Sequence, residues 1–370
     1  MDRPAPYPFP SRRAVMIGGV SLLGTGAVAG PATGTARGAA PPPGEWAETP
    51  VPPLSGQSHL LGIAAPSPWH VFAGGTENAF QPDARAVILH RTPRGWTRAP
   101  LPDGLAVVHD VRARHAANAW ALASGPDARQ RTDLLRWNGR RWTAVSGPAD
   151  RQLHAIDLDR AGGLWATGLG ADSTTVSVRR NGRWADSLTL PQPSGLNAIA
   201  AGGASDVWVG GVPESQTGPT PLWRFDGTDW TRVPWGSTWA HWILQIEYVA
   251  PDDVWFYALE QHPLFPPPTL HHWNGSQFTV HPIPRPAARD GDGAIRPASA
   301  VGFLGSIASD GRQGVWLSTP FDTSHLLHFD GASWTRAVPP AAVTAYSMTR
   351  VPHTTTVWAG TQTGTVWRRS

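Results

Sequence analysis

Asp206-Val207-Trp208-Val209-Gly210, followed shortly by Trp223-Arg224-Phe225-Asp226-Gly227-Thr228-Asp229-Trp230-Thr231-Arg232-Val233-Pro234, decides the fold. The first stretch is a short apolar run of strand length. The second is two runs joined through Asp-Gly, a pair that accepts positive φ and so suits a tight hairpin. Both recur. Copies of the first centre on Trp120, Trp165, Trp255, Trp316 and Trp358, and Phe72 fills the same place in Val71-Phe72-Ala73-Gly74. That makes seven copies, spaced at about 40–60 residues, a period expected of propeller blades.

At a fixed distance before the first six aromatics stands a β-branched residue: Ile63, Val111, Ile156, Ile199, Ile246 and Ile307. The seventh copy has Met348 one place out of register. A second apolar residue precedes each of the six: Leu60, Val108, Leu153, Leu196, Ile243 and Leu304. This placement predicts another buried strand ahead of each Trp strand. The hairpin motif recurs as Leu135-Arg136-Trp137-Asn138-Gly139 leading to Trp142, His272-Trp273-Asn274-Gly275 leading to Phe278, and His328-Phe329-Asp330-Gly331 leading to Trp334. Each repeat is therefore four strands, one propeller blade, and the fold class is all-β.

The count of outer strands then sharpens the expectation. Outer-strand aromatics occur at Trp96, Trp142, Trp184, Trp230, Phe278 and Trp334, six against seven inner motifs. The chain stops at Thr365-Val366-Trp367-Arg368-Arg369-Ser370, after a third strand. The missing fourth strand is found at the other end, in Gly44-Glu45-Trp46-Ala47-Glu48-Thr49-Pro50-Val51-Pro52. Trp46 is thus expected in the outer strand of blade 7, closing the ring and removing an open edge. Twelve of the 20 Trp lie at the two repeat positions and are assigned to packing between blades.

Ser11-Arg12-Arg13-Ala14-Val15-Met16-Ile17, with an apolar Gly-rich stretch to about Gly30, resembles a twin-arginine export signal. The expected division is a signal peptide over 1–36, a Pro-rich linker over 37–43 and the propeller over 44–370. The apolar stretch is short, so no transmembrane anchor is expected after cleavage, and the protein is expected to be secreted or envelope-associated. The formal net charge is +3, but Arg3, Arg12, Arg13 and Arg37 against Asp2 account for it within residues 1–40. The remainder is neutral, which leaves no basic field for nucleic acid. With Cys 0, disulfides and thiolate chemistry are excluded.

The Asp-Val-Trp-x-x-Gly strand and the Asp/Asn-Gly-x-x-Trp hairpin resemble those of exported bacterial propellers, related distantly to Kelch and galactose-oxidase-like propellers. The resemblance covers roughly 44–370 and implies the fold. The double-Gly signature of Kelch repeats survives only as Gly74-Gly75 and Gly210-Gly211, and the paired signatures of WD repeats are absent as a set. Copper chemistry of the galactose-oxidase kind needs a Cys that this chain lacks. No site residue transfers from the family.

Two regions are candidates for function. The surroundings of blade 5 bring Trp235, Trp239, His241 and Trp242 at its entry, Glu260 and His262 within it, and Arg289 and Asp290 at its exit. Aromatic rings beside polar groups suit a sugar, whose apolar face stacks while its hydroxyls bond. The competing reading has these Trp cap an enlarged blade. The second region is the channel mouth, where alignment of first strands places Leu61, His109, His154, Asn197, Leu244 and Gly305, with Asp110 and Arg151 nearby. Two His and an Asp on adjacent blades face Leu and Gly opposite, so neither a metal nor a cofactor is expected. Asp290-Gly291-Asp292-Gly293 lacks the further acidic ligands of a calcium loop. These features favour a secreted, non-catalytic binding propeller with a glycan or protein as ligand. A polysaccharide hydrolase or lyase and a structural envelope scaffold are the alternatives.

Overall fold

The computed structural model describes residues 44–126, 133–191, 195–213, 218–236, 241–260, 268–284, 305–319 and 322–370. The expected signal and linker, residues 1–43, lie outside these. The strands form seven four-stranded antiparallel sheets arranged as a β-propeller. Blades 1 to 6 are built in simple up-and-down order from residues 59–98, 107–145, 152–191, 195–232, 241–282 and 306–337. The described residues contain no helix.

Blade 7 takes three strands from residues 345–369 and its outermost strand, Trp46–Thr49, from the other end of the chain. Trp46 pairs with Arg369, Ala47 with Arg368, Glu48 with Trp367 and Thr49 with Val366. The Gly44 N–H adds a bond to the Ser370 carbonyl at 2.7 Å. The closure read from the outer-strand count is therefore the closure that forms.

The core consists of blade interfaces. Each outer aromatic packs toward the second-strand aromatic of the preceding blade. Trp96 meets Trp358 at 5.8 Å, Trp142 meets Phe72 at 5.9 Å, Trp230 meets Trp165 at 6.3 Å and Trp46 meets Trp316 at 5.4 Å between ring centroids. Trp184, Phe278 and Trp334 lie in the clusters that hold Trp120, Trp208 and Trp255. Such rings bury large areas in edge-to-face geometry, which suits a wedge between twisted sheets.

The Arg or His that begins each hairpin motif has a structural task. It lies over the second-strand aromatic of its own blade. His272 stacks on Trp255 at 4.0 Å, His328 on Trp316 at 4.4 Å and His90 on Phe72 at 4.2 Å. Arg224 and Arg136 stand 5.0 and 5.5 Å over Trp208 and Trp120. In blades 3 to 6 an Asp pins the stacked group: Asp159 to Arg180 at 2.6 Å, Asp206 to Arg224 at 2.9 Å, Asp253 to His272 at 3.0 Å and Asp310 to His328 at 2.9 Å. A cation or imidazole over an indole is favourable, and the carboxylate fixes its position.

Candidate functional site

Among the described residues, six first strands carry a register break near their start. It falls between Leu60 and Gly62, Val108 and Asp110, Leu153 and Ala155, Leu196 and Ala198, Ile243 and Gln245, and Ala345 and Ser347. The skipped residues are Leu61, His109, His154, Asn197, Leu244 and Tyr346. A bulge leaves one residue outside the ladder and re-aims its side chain, and bulges gather beside binding sites. Here the bulge occupies the same place around the ring.

Four of these residues line one small cavity: His109, His154, Asn197 and Leu244, with Asp110, Arg112 and Gln245 among their neighbours. The other two, Leu61 and Tyr346, are buried together, with Val107 packed against them. The mouth is therefore two-sided, with polar groups on blades 2 to 4 and apolar ones on blades 7, 1 and 5. His109 is held by its Nε2 against the Ser124 hydroxyl at 2.8 Å. The Asn197 side-chain oxygen is buried without a hydrogen-bond partner among the described residues.

Tyr346 was not among the residues read from sequence. Met348 pairs with Ala359, the residue after Trp358, just as Ile199 pairs with Val209 after Trp208. The two occupy equivalent register positions, and the extra residue of the last copy sits in the turn between them and the Trp strand. Counting from Met348 rather than from Trp358 recovers Tyr346.

Below the mouth lies a layer of charges. The Arg112 Nε donates to Asp110 at 3.1 Å. Burial works against the Arg112 cation, but Asp110, Asp157 and Glu247 outweigh it and hold its proton more tightly. Burial pushes the Glu247 carboxyl up, offset in part by the Ser309 N–H, Arg350 and Arg112. These groups also tie blades together. Asp157 accepts the Ala201 N–H at 2.7 Å and Glu247 the Ser309 N–H at 3.0 Å. Arg114 donates to the carbonyls of Leu158 at 2.7 Å and Ala201 at 2.9 Å, spanning three blades. Gln245 accepts the Ile307 N–H at 3.1 Å and donates to its carbonyl at 2.8 Å. The channel carboxylates are thus drawn into an ion pair and two inter-blade bonds.

Arg151 is a correction. It is not in the cavity lining; its Nη2 donates to Asp186 at 2.9 Å on the outer strand of blade 3. Asp186 also accepts the Ser177 hydroxyl at 2.7 Å, a fixed carboxylate that draws the guanidinium outward.

Around blade 5 the structure distinguishes the two sequence readings, ligand site and capped blade, where its residues are described. Trp235 is only 7% exposed and His241 only 3%. Trp235 tilts over His271 at 4.2 Å and meets Phe256 at 5.6 Å, filling the interface between blades 4 and 5. Burial drives the His271 imidazole down to about 3, aided by His241 and His281. For Trp235 and His241, capping is therefore what the structure presents. Trp242 and Glu260 are half-buried. Trp239, His262, Arg289 and Asp290 lie outside the described residues. His271 and His272 turn to opposite faces, the first to Trp235 and the second to Trp255 and Asp253, as alternation on a strand requires.

No family model and no curated protein matches the chain. Solved structures do resemble it. YCF48 bound to D1 peptide has a TM-score of 0.56 at 11% identity, covering 88% of this chain and 96% of that one. YCF48 from Cyanidioschyzon merolae has a TM-score of 0.57 at 14% identity, covering 88% and 98%. The GH74 xyloglucanase from Xanthomonas campestris has a TM-score of 0.58 at 14% identity, covering 87% of this chain and 53% of that one. At these identities the likeness is one of architecture alone, and in architecture the chain is a seven-bladed β-propeller.

Proposed function

We propose that the chain is an exported, non-catalytic binding propeller that receives an extracellular glycan or polypeptide at the channel mouth. The observation that carries this reading is the set of bulges that aims His109, His154 and Asn197 into one cavity. These groups offer hydrogen-bond donors and acceptors on a rigid frame, which is what selective recognition of a polar chain needs. The twin-arginine pattern at Arg12-Arg13 supports export. Two fold neighbours illustrate the range of the scaffold, one captured with a peptide and one a xyloglucanase, and fold alone does not choose between such roles.

Hydrolysis of a polysaccharide would need two carboxylates poised across a glycosidic bond. The engagement of Asp110 with Arg112, Asp157 with Ala201 and Glu247 with Ser309 favours binding instead. The test is a glycan array and a peptide array probed with the mature protein, alongside a polysaccharide digestion assay. Binding on either array that is lost in His109→Ala and Asn197→Ala, with no digestion, is the expected result. Digestion abolished by Glu247→Gln would overturn it.

A further inference from the structure

Phe80 is an aromatic ring in an unusual setting. It is 50% exposed, on the loop between the second and third strands of blade 1. That loop lies on the face where the first strands begin. Its φ is 66°, a left-handed conformation that a bulky side chain adopts only at a cost and that Gly would adopt freely. Strain of this kind persists where surrounding contacts over-determine the backbone, and it gathers at functional sites.

The contacts are present. The Asn78 N–H donates to the Ser55 carbonyl at 3.1 Å and the Ala79 N–H to that of Gln57 at 2.7 Å. The Asn78 amide donates to Asp83 at 2.7 Å across the base of the loop. Phe80 meets the ring of His59 edge-on at 5.7 Å, and His59 meets Tyr346 at 5.8 Å. His59 is 2% exposed and bonded through Nδ1 to the Gln362 carbonyl, while its Nε2 has no partner among the described residues. A run of three rings thus leads from an exposed rim to the bulged residue of blade 7. Tyr346 packs with Leu61 and Val107, and His109 follows Val107 by two positions on the same strand.

The other exposed large hydrophobic ring among the described residues, Trp69, sits in a turn on the opposite face and has no positive φ. Only Phe80 combines exposure, strain and a rigid aromatic foundation.

We propose that Phe80 is a stacking platform for a pyranose ring of an uncharged glycan whose chain runs along the polar rim of the channel mouth. The inference builds on the channel-mouth reading and narrows its ligand class. A flat ring displayed on a fixed loop matches the apolar face of a sugar, and the polar arc of His109, His154 and Asn197 matches its hydroxyls. Charge agrees with this. Over residues 44–370 cations and anions balance, so no field attracts a charged polymer.

Isothermal titration of the mature protein with cellohexaose and xylohexaose tests it. Wild type is expected to bind at least one of them. Phe80→Leu keeps the apolar bulk and the backbone strain but removes the flat face, and should weaken binding at least about tenfold, roughly the worth of one aromatic contact. Phe80→Trp should bind as well as wild type or better. Phe80→Gly should lose affinity without a lower thermal midpoint, since strain is relieved. If Phe80→Leu binds like wild type while His109→Ala does not, the platform is overturned and the channel-mouth reading stands. If neither hexasaccharide binds at millimolar concentration, the platform is likewise overturned. Peptide binding lost in His109→Ala would then uphold the channel mouth, and its absence would remove that reading too.

Discussion

The indole of Trp46 meets that of Trp316 edge-on, with ring centroids 5.4 Å apart and planes at 84°. The two residues lie at opposite ends of the ring in sequence and at adjacent blades in space. Arg369, which pairs with Trp46 across the closing strands, also stands 4.4 Å over the Trp316 ring. One interface therefore depends on both termini of the propeller. Trp46→Ala should cost about 3–5 kcal/mol, the range for a buried Trp replaced by Ala. Trp96→Ala, at the equivalent but half-buried site of blade 1, should cost less. Chemical denaturation compares them; an equal or smaller loss at Trp46 would show that the ring does not depend on this closure.

Backbone proximity sets a second expectation. A Cβ on Gly62 would lie 2.6 Å from the Val111 nitrogen and 2.8 Å from the Asp110 Cα, so blade 2 blocks it with main chain. Gly203 faces nothing within 4 Å and has no positive φ. Gly62→Ala should destabilise by roughly 1–3 kcal/mol through overpacking. Gly203→Ala should be neutral or gain up to about 1 kcal/mol by restricting the unfolded chain. Thermal melts of the pair decide the matter, and equal effects would contradict the close approach of blades 1 and 2.

Asp206 is a shared anchor. It accepts Arg224 at 2.9 and 3.2 Å and the Tyr248 hydroxyl at 2.8 Å from the next blade. Burial, with Asp206 beside it, raises the Tyr248 hydroxyl well above the usual phenol range. Asp206→Ala strands both partners and should cost about 2–4 kcal/mol. The ultraviolet titration of Tyr248, isolated by comparison with Tyr248→Phe, should move to lower pH in the variant. An unmoved titration would separate Tyr248 from Asp206.

Acid should loosen the ring through its buried imidazoles. Burial lowers His90 to about 4 and His271 to about 3, whereas an unfolded chain protonates His near 6.5. Between those values the unfolded state binds more protons, so this stability is complete above about pH 6.5 and drains as pH falls. Glu77, held low chiefly by its bond to Arg98, adds to the loss further into acid. Glu247, pushed up by burial, acts in the opposite direction. The thermal midpoint should therefore drop between pH 7 and pH 4.5, and His271→Leu should flatten the drop. Parallel curves for wild type and variant would exclude His271 as a source.

The register arguments in the sequence succeeded wherever a residue type reported its own local geometry. Gly139, Gly227, Gly275 and Gly331 all take positive φ at the hairpins that Asn-Gly and Asp-Gly marked. The channel-mouth residues could be aligned because each precedes its β-branched neighbour by the same step, even though nothing local announces a bulge. Tyr346 escaped because one extra turn residue shifted the count. Arg151 escaped, and the choice between a ligand site and a cap at Trp235 stayed open, for a different reason. Where a long or flat side chain goes depends on a partner distant in sequence, Asp186 for the first and His271 with Phe256 for the second.

The sequence by itself determined the number of blades, the four strands of each and the strand borrowed from the N-terminal side. Those follow from spacing and turn chemistry, which are local. Only the tertiary structure decided that bulges aim the aligned residues at the channel, that Trp235 is a wedge too, and which carboxylates are engaged. Those depend on the approach of neighbouring sheets, where a bulge turns His109 inward and a packed ring hides Trp235. Trp46 belongs to both accounts: its pairing was countable, but its weight comes from the indole of Trp316 waiting one blade away.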